Sequence, residues 1–256
     1  MLFDTHVHLN DISYENYKDI IQNALDNDVT KMVVIGFDLE SSIKAVKIAK
    51  EYSFIYAAIG IHPSEANKEY EKDLVELENL ICEKVVAIGE IGLDYHYDGV
   101  IKDNQSDLFI KQLKIAKKHN LPVIIHSRDA CKDTIDILKE YKDCYKKGIM
   151  HCYAYSYEVA KELMQYGFMF AFGGVVTYKN ANSVKEVVSK LDMQYILLET
   201  DAPYLSPTPH RGKRNEPAYI KHVAEEIAKI KGLSVKQVED ETFNNSCDIL
   251  DVSREN

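Results

Sequence analysis

At 256 residues, with 46% hydrophobic and 28% charged side chains, the chain has the composition of a globular protein that buries a large core, and the length of one (β/α)8 barrel. Its 31 basic and 41 acidic residues leave a net charge of −10, which does not fit a passive nucleic-acid binder; any such contact has to be local, through metals and a few placed cations. No apolar run reaches the roughly 18–20 residues of a membrane helix and no basic, apolar leader opens the chain, so the expected setting is the cytoplasm, with no membrane and no obligate protein partner.

The first β-rich run, Leu2–Val7, leads into Phe3-Asp4-Thr5-His6-Val7-His8. A strand turns alternate side chains to opposite faces, so His6 and His8 share one face at its end. Further runs follow at Lys31–Ile35, Ile55–Ile59, Val85–Ile91, Pro122–Ile125, Gly148–His151, Phe168–Phe172 and Tyr195–Glu199. Between them lie helix-length segments with apolar residues at three- and four-residue spacing, such as Ile43, Val46, Ile48 and Ala49, or Phe109, Leu113, Ile115 and Ala116. Strands alternating with helices predict parallel pairing, and eight of them fit a closed barrel better than an open sheet. Ala218–Ile230 reads as the closing helix and Val235–Leu250 as an extra C-terminal one. No low-complexity tract or Pro/Gly-rich linker interrupts the chain, so residues 1–256 are expected to form a single domain. Cys82, Cys131, Cys144, Cys152 and Cys247 are odd in number and lack Cys-x-x-Cys spacing, against a disulfide framework or a zinc knuckle.

Glu90, His126, His151 and Asp201 each close a later apolar run, and with His6 and His8 they make six ligand-type residues at strand ends, where such barrels keep their chemistry. A lone histidine at a strand end is more often a hydrogen-bonded structural residue; the reading rests on the six together. A carboxylate aimed into a barrel mouth is costly unless paired or on a metal. His6, His8 and Asp201 come from the first and eighth strands, neighbours once the barrel closes, and His126 and His151 from the adjacent fifth and sixth. Glu90, midway round, is the natural bridge between two half-sites, as its two oxygens allow. Two divalent ions ~3.5–4 Å apart suit hydrolysis: one brings the pKa of water from near 15.7 to about 7 while the other steadies the leaving oxygen. Asp201 is placed to accept the proton of that water, which makes Glu90 and Asp201 the candidate catalytic pair. Four imidazoles lean toward Zn²⁺ or Mn²⁺, phosphoryl chemistry toward Mg²⁺.

Several motifs carry a family resemblance: Phe3-Asp4-Thr5-His6-Val7-His8, Gly60-Ile61-His62-Pro63, Gly89-Glu90-Ile91-Gly92-Leu93-Asp94-Tyr95, Pro122-Val123-Ile124-Ile125-His126-Ser127-Arg128, Glu199-Thr200-Asp201-Ala202-Pro203-Tyr204-Leu205 and Arg211-Gly212-Lys213-Arg214-Asn215-Glu216-Pro217. They closely resemble the TatD-type metal-dependent hydrolases, in order and over nearly the whole chain. The resemblance implies a (β/α)8 barrel with a binuclear divalent-metal site, deoxyribonuclease activity, and metal ligands at His6, His8, Glu90, His126, His151 and Asp201. Two places depart from the pattern. Where the family commonly has His-Cys-Phe-Ser/Thr-Gly, this chain reads His151-Cys152-Tyr153-Ala154-Tyr155-Ser156, which is expected to make the loop beside the metals bulkier. Ser64 replaces the family's usual second histidine after Gly-Ile-His-Pro.

Substrate contacts are expected at His62, a donor to phosphate or leaving oxygen; at Arg128, suited to bidentate phosphate recognition; and at Arg211, Lys213 and Arg214, cations concentrated in an acidic chain. Structural or solvated roles stand beside each of these. Asp94 is expected to hold a ligand histidine by its other ring nitrogen, and Tyr95, Tyr153, Tyr155, Tyr178 and Tyr204 to face the loops where bases could stack. The leading expectation is a phosphodiesterase acting on DNA ends or single strands. The alternatives are an amidohydrolase-like enzyme for an ester or C–N bond, such as an aminoacyl group, and a catalytically silent barrel.

Overall fold

The structure, a computed structural model, describes residues 1–66 and 69–255. Eight short runs rich in β-branched and small apolar residues form the strands: β1 Leu2–Val7, β2 Val29–Ile35, β3 Ile55–Ile59, β4 Val85–Asp94, β5 Val123–Arg128, β6 Gly148–Met150, β7 Phe168–Phe172 and β8 Ile196–Leu198. The helices are α1 Tyr17–Leu25, α2 Leu39–Glu51, α3 Glu71–Asn79, α4 Lys102–His119, α5 Cys131–Glu140, α6 Tyr157–Met164, α7 Asn182–Lys190, α8 Ile220–Lys231 and α9 Val235–Leu250. The strands pair in parallel in the order β1 to β8. The ring closes through the end of β8 and the residues just past it: Val7 bridges Ala202, Asp201 N donates to His6 O at 2.9 Å, and Thr5 Oγ1 donates to Leu198 O at 2.9 Å. This is the expected (β/α)8 barrel with an additional C-terminal helix.

Alternation along the strands sorts the core into two clusters. Val33, Ile35, Ala58, Ile124, Ile149, Ala171 and Leu197 share one cluster with Phe3 and with Phe243 and Cys247 of α9. Their neighbours Met32, Val34, Ile59, Val123, Ile125, Phe170 and Ile196 belong to the other, with the surrounding helices. The rings of Phe3 and Phe243 lie 6.1 Å apart, so α9 caps the amino end of the barrel and leaves the carboxyl end open. Burying each Val, Leu, Ile, Phe or Met among them stabilises the fold by about 1.5–3 kcal/mol. Ser234 caps α9 and Gln237 returns the bond, which sets its start at Val235 as expected.

Several boundaries move. β4 runs to Asp94 and β5 to Arg128, so Glu90 and His126 lie inside strands rather than at their ends. The register Gly92↔His126 to Asp94↔Arg128 continues the pairing, and Gly92 allows it: at φ 143° a Cβ there would meet His126 O at 2.0 Å. β6 and β8 end before His151 and Glu199. The closing helix starts with a 3-10 turn at Pro217–Tyr219 ahead of α8. Ile43 is 48% exposed, because it lies off the stripe that Ser42, Ala45, Val46 and Ala49 bury.

Candidate metal centre

All six ligand-type residues converge at the open end of the barrel. Glu90, 5% exposed, presents its two oxygens to different groups. Oε2 stands 3.5 Å from His6 Nε2, while Oε1 lies 2.7 Å from His126 Nδ1 and 3.6 Å from His151 Nε2. Asp201 Oδ1 stands 3.4 Å from His8 Nε2, 3.7 Å from His6 Nε2 and 4.0 Å from His151 Nε2. The His6 and His151 rings stack with centroids 3.6 Å apart. His6, His8 and Asp201, at and just past the ends of β1 and β8, thus form one group, and His126 and His151, on β5 and just past β6, the other. Glu90 reaches both through different oxygens, and His151 also stacks on His6 and approaches Asp201.

Three carboxylates stand behind these residues, two of them bonded to imidazole rings and the third to backbone. His126 Nε2 donates to Asp94 Oδ2 at 3.1 Å, as expected of Asp94. Glu199, fully buried, accepts from His151 Nδ1 at 2.9 Å and from Cys152 N at 2.8 Å. Asp4 accepts from His6 N at 3.2 Å and binds Thr200. Glu199 and Asp4 were not singled out from the sequence, although Glu199 stands two residues before Asp201, at the spacing that linked His6 to His8.

Burial works to raise the pKa of Glu90, but the charge on His151 and the His126 hydrogen bond overcome it and hold Glu90 well below the ordinary carboxylate range. Burial likewise opposes ionisation of Asp201, and the His8 contact and the field of His151 keep it low. Against the cost of burial, Asp94 and Glu90 raise His126 to about 9, and Glu199 and Glu90 raise His151 to about 10. His6 is lowered, by burial first and by His151 second. Without cations, then, ionised carboxylates are balanced by imidazolium.

The donor set fits divalent cations on a direct structural ground. Both ring nitrogens of His6 and Nδ1 of His8 are buried without a hydrogen-bond partner, a costly state that a bound cation relieves. His6, His8 and Glu90, and separately Glu90, His126 and His151, bring ligand atoms within 4.8 Å of one another. Asp94 with His62 and His126, and Glu199 with His6 and His151, form two further such groups.

Above the cluster opens a cavity of about 650 Å³ whose wall includes His62, Arg128, Tyr97, Cys152, Tyr204 and Leu205. Burial first, and His126 second among the lowering causes, bring His62 down to about 4, so it is neutral at pH 7. Its Nδ1 accepts from Ser64 N at 3.1 Å, which leaves the proton on Nε2, 3.9 Å from Glu90 Oε1. His62, Asp94 and Arg128 therefore reach the site. Arg211, Lys213 and Arg214 do not line the cavity. Arg211 packs 4.3 Å from the Tyr178 ring centre, and Arg214 packs 5.0 Å from that of Tyr14 while donating to Ser13 O at 2.7 Å. Lys213 is exposed on the same loop.

Of the expected stacking tyrosines, only Tyr204 lines the cavity; Tyr97 was missed. Tyr153 is buried against Phe170 and Phe172, and Tyr155 hydrogen-bonds Ser127 at 2.9 Å. The divergent 152–156 loop consequently turns its bulk away, and only Cys152 of it faces the cavity. Among the described residues the five cysteines are all unpaired, and no helix is long and apolar enough to cross a membrane.

A buried cluster of imidazoles and carboxylates in the open end of a (β/α)8 barrel is the arrangement of a metal-dependent hydrolase. The sequence matches the family described as TatD related DNase over residues 3–251, and the chain belongs to that family. It is 48% identical over 248 residues to the uncharacterized metal-dependent hydrolase YabD of Bacillus subtilis (strain 168), covering 96% of this chain and 97% of that one. It is 36% identical over 260 residues to the uncharacterized metal-dependent hydrolase YcfH of Escherichia coli (strain K12), covering 99% and 97%. The crystal structure of YJJV, a TatD homolog from Escherichia coli k12, superposes with a TM-score of 0.93 at 30% identity, covering 98% of each chain.

Proposed function

We propose that the chain hydrolyses phosphodiester bonds of DNA, at ends or in single strands, at a centre of two divalent cations held by His6, His8, Glu90, His126, His151 and Asp201. The observation that carries the reading is the division of Glu90: one oxygen faces His6 and the other faces His126 and His151, beneath a cavity that holds a neutral N–H donor and a guanidinium. Bound cations supply Lewis acidity and lower the pKa of water toward about 7. The chain's own groups do the rest. Arg128 orients the phosphate, for which a planar guanidinium is better shaped than an ammonium. His62 donates a hydrogen bond from Nε2 to a phosphoryl or leaving oxygen. An Asp201 carboxylate oxygen accepts the proton of the attacking water as the new P–O bond forms and the sugar oxygen departs.

The family description supports this reading, since it names a DNase. An ester- or amide-cleaving amidohydrolase is less favoured, because among the described residues no lysine lines the cavity to bridge metals. Lys31, 2% exposed, binds Glu255 O of the C-terminal segment instead.

The test is hydrolysis of an end-labelled single-stranded oligodeoxynucleotide by metal-stripped protein, with Mg²⁺, Mn²⁺ or Zn²⁺ restored. Cation-dependent shortening that Asp201→Asn abolishes is expected. A protein that binds cations yet leaves the strand intact with all three would overturn the reading and turn attention to carboxylic ester and amide substrates.

A further inference from the structure

Nine large hydrophobic side chains stand exposed among the described residues, and five of them, Ile12, Tyr97, Ile101, Tyr204 and Leu205, sit on loops that follow strands at the open end of the barrel. Tyr97, 63% exposed, follows β4; Tyr204, 53% exposed, follows β8. In a ring of eight strands closed between its first and last, the fourth and eighth lie across from one another. The two tyrosines therefore flank the Glu90 cluster from opposite sides, and both line its cavity.

Each ring is held where it stands. Tyr204 donates from its hydroxyl to Asp11 Oδ2 at 3.0 Å, and the Arg128 guanidinium packs 5.6 Å from the centre of the Tyr97 ring. Leu205, beside Tyr204, keeps a left-handed backbone at φ 52°, a setting that non-glycine residues rarely adopt and that concentrates at ligand sites. Both rings are more than half exposed and stand on the rim of the same cavity as the Glu90 cluster.

We propose that Tyr97 and Tyr204 are stacking platforms on either side of the scissile bond, so that the substrate is a single-stranded nucleic acid lying across the mouth with an unpaired base on each ring. This rests on the phosphodiester reading above. The protein's own basic side chains would hold such a strand poorly away from the cations: the chain carries a net charge of −10, and among the described residues Arg128 is the only Lys or Arg lining the cavity. Stacking supplies what charge does not, and it tolerates any sequence because every base has a π face. The interior of a duplex offers no free faces, since its bases are already stacked on one another.

Two measurements test the platforms: anisotropy of a labelled oligothymidylate with metal-free protein in EDTA, and steady-state hydrolysis of the same strand with Mn²⁺. Tyr97→Leu and Tyr204→Leu are each expected to weaken binding about tenfold and to raise KM more than they lower kcat. Tyr97→Phe and Tyr204→Phe keep the ring and are expected to keep the binding, which separates stacking from loop packing. Val75→Ala, on exposed α3, is the control expected to change nothing. Binding and KM unmoved in both Leu variants, or tighter binding to duplex than to single strand, would overturn the proposal. Should wild type hydrolyse no strand with any cation, the phosphodiester reading falls, and the anisotropy decides the platforms by itself: binding lost in the Leu variants upholds them, and absence of wild-type binding overturns them.

Discussion

Asp4 and Thr200, 196 positions apart in sequence, are joined by two hydrogen bonds across the seam that closes the barrel. The Thr200 hydroxyl lies 2.6 Å from Asp4 Oδ2, and Thr200 N donates to Asp4 Oδ1 at 2.9 Å. Asp4 Oδ1 also accepts from His6 N, so one buried carboxyl ties the strand that carries His6 to the segment that carries Asp201. Burial raises Asp4 to about 8, against the opposing pull of its hydrogen bonds from Thr200 and His6.

Asp4→Ala orphans buried donors that each cost about 1–3 kcal/mol when left unsatisfied, so the variant is expected to lose about 2–4 kcal/mol in urea denaturation. Asp4→Asn keeps an acceptor for Thr200 N and is expected to lose less. An alanine variant as stable as wild type would show that the seam is held elsewhere.

Glu199 acts through His151. Its two oxygens take the His151 Nδ1–H and the Cys152 N–H, which directs Nε2 of the imidazole toward Glu90 and Asp201. Glu199→Gln keeps the shape and removes the charge. Calorimetric titration of the metal-stripped variant is expected to show cation affinity about 10–100-fold weaker, the usual cost of losing such a partner, with the fold intact by circular dichroism. Undiminished affinity would contradict the positioning role.

Cation binding is expected to release protons at neutral pH. Metal ligation needs neutral imidazole, whereas in the metal-free protein Asp94 and Glu90 raise His126 to about 9, and Glu199 and Glu90 raise His151 to about 10, each against the cost of burial. Both folded pKa values lie above the ordinary 6.5, so these groups stabilise the metal-free fold fully below pH 6.5 and lose that contribution as pH rises through about 9 and 10. Cation affinity runs the other way and strengthens with pH over the same window. Titrations in two buffers of different ionisation enthalpy read the proton count directly; no release at pH 7 would show that those imidazoles are not ligands.

Much of this was legible in the sequence, because hydrophobic period and strand-end placement are local signals. β1, β3, β7 and α9 fall where the apolar patterns put them, and the six ligand-type residues singled out at strand ends come together at the open end of the barrel. What escaped depends on pairing between distant segments. The extension of β4 past Gly92 follows from its close approach to the His126 backbone, which no local pattern announces. Glu199 reaches a residue 48 positions away, and Asp4 one at 196. Arg211 and Arg214 read as phosphate contacts, whereas the fold sets them against Tyr178 and Tyr14, off the cavity wall. Tyr153 looked like a loop aromatic and is core, packed against Phe170 and Phe172 of β7.

The most direct test of the centre is its cation count after equilibration with Mn²⁺ and desalting, measured by elemental analysis on wild type and Glu90→Ala. About two ions per wild-type chain, falling to one or none in Glu90→Ala, is the expected result for a carboxylate shared between two sites. A Glu90→Ala protein that folds and keeps the wild-type count would contradict the bridge.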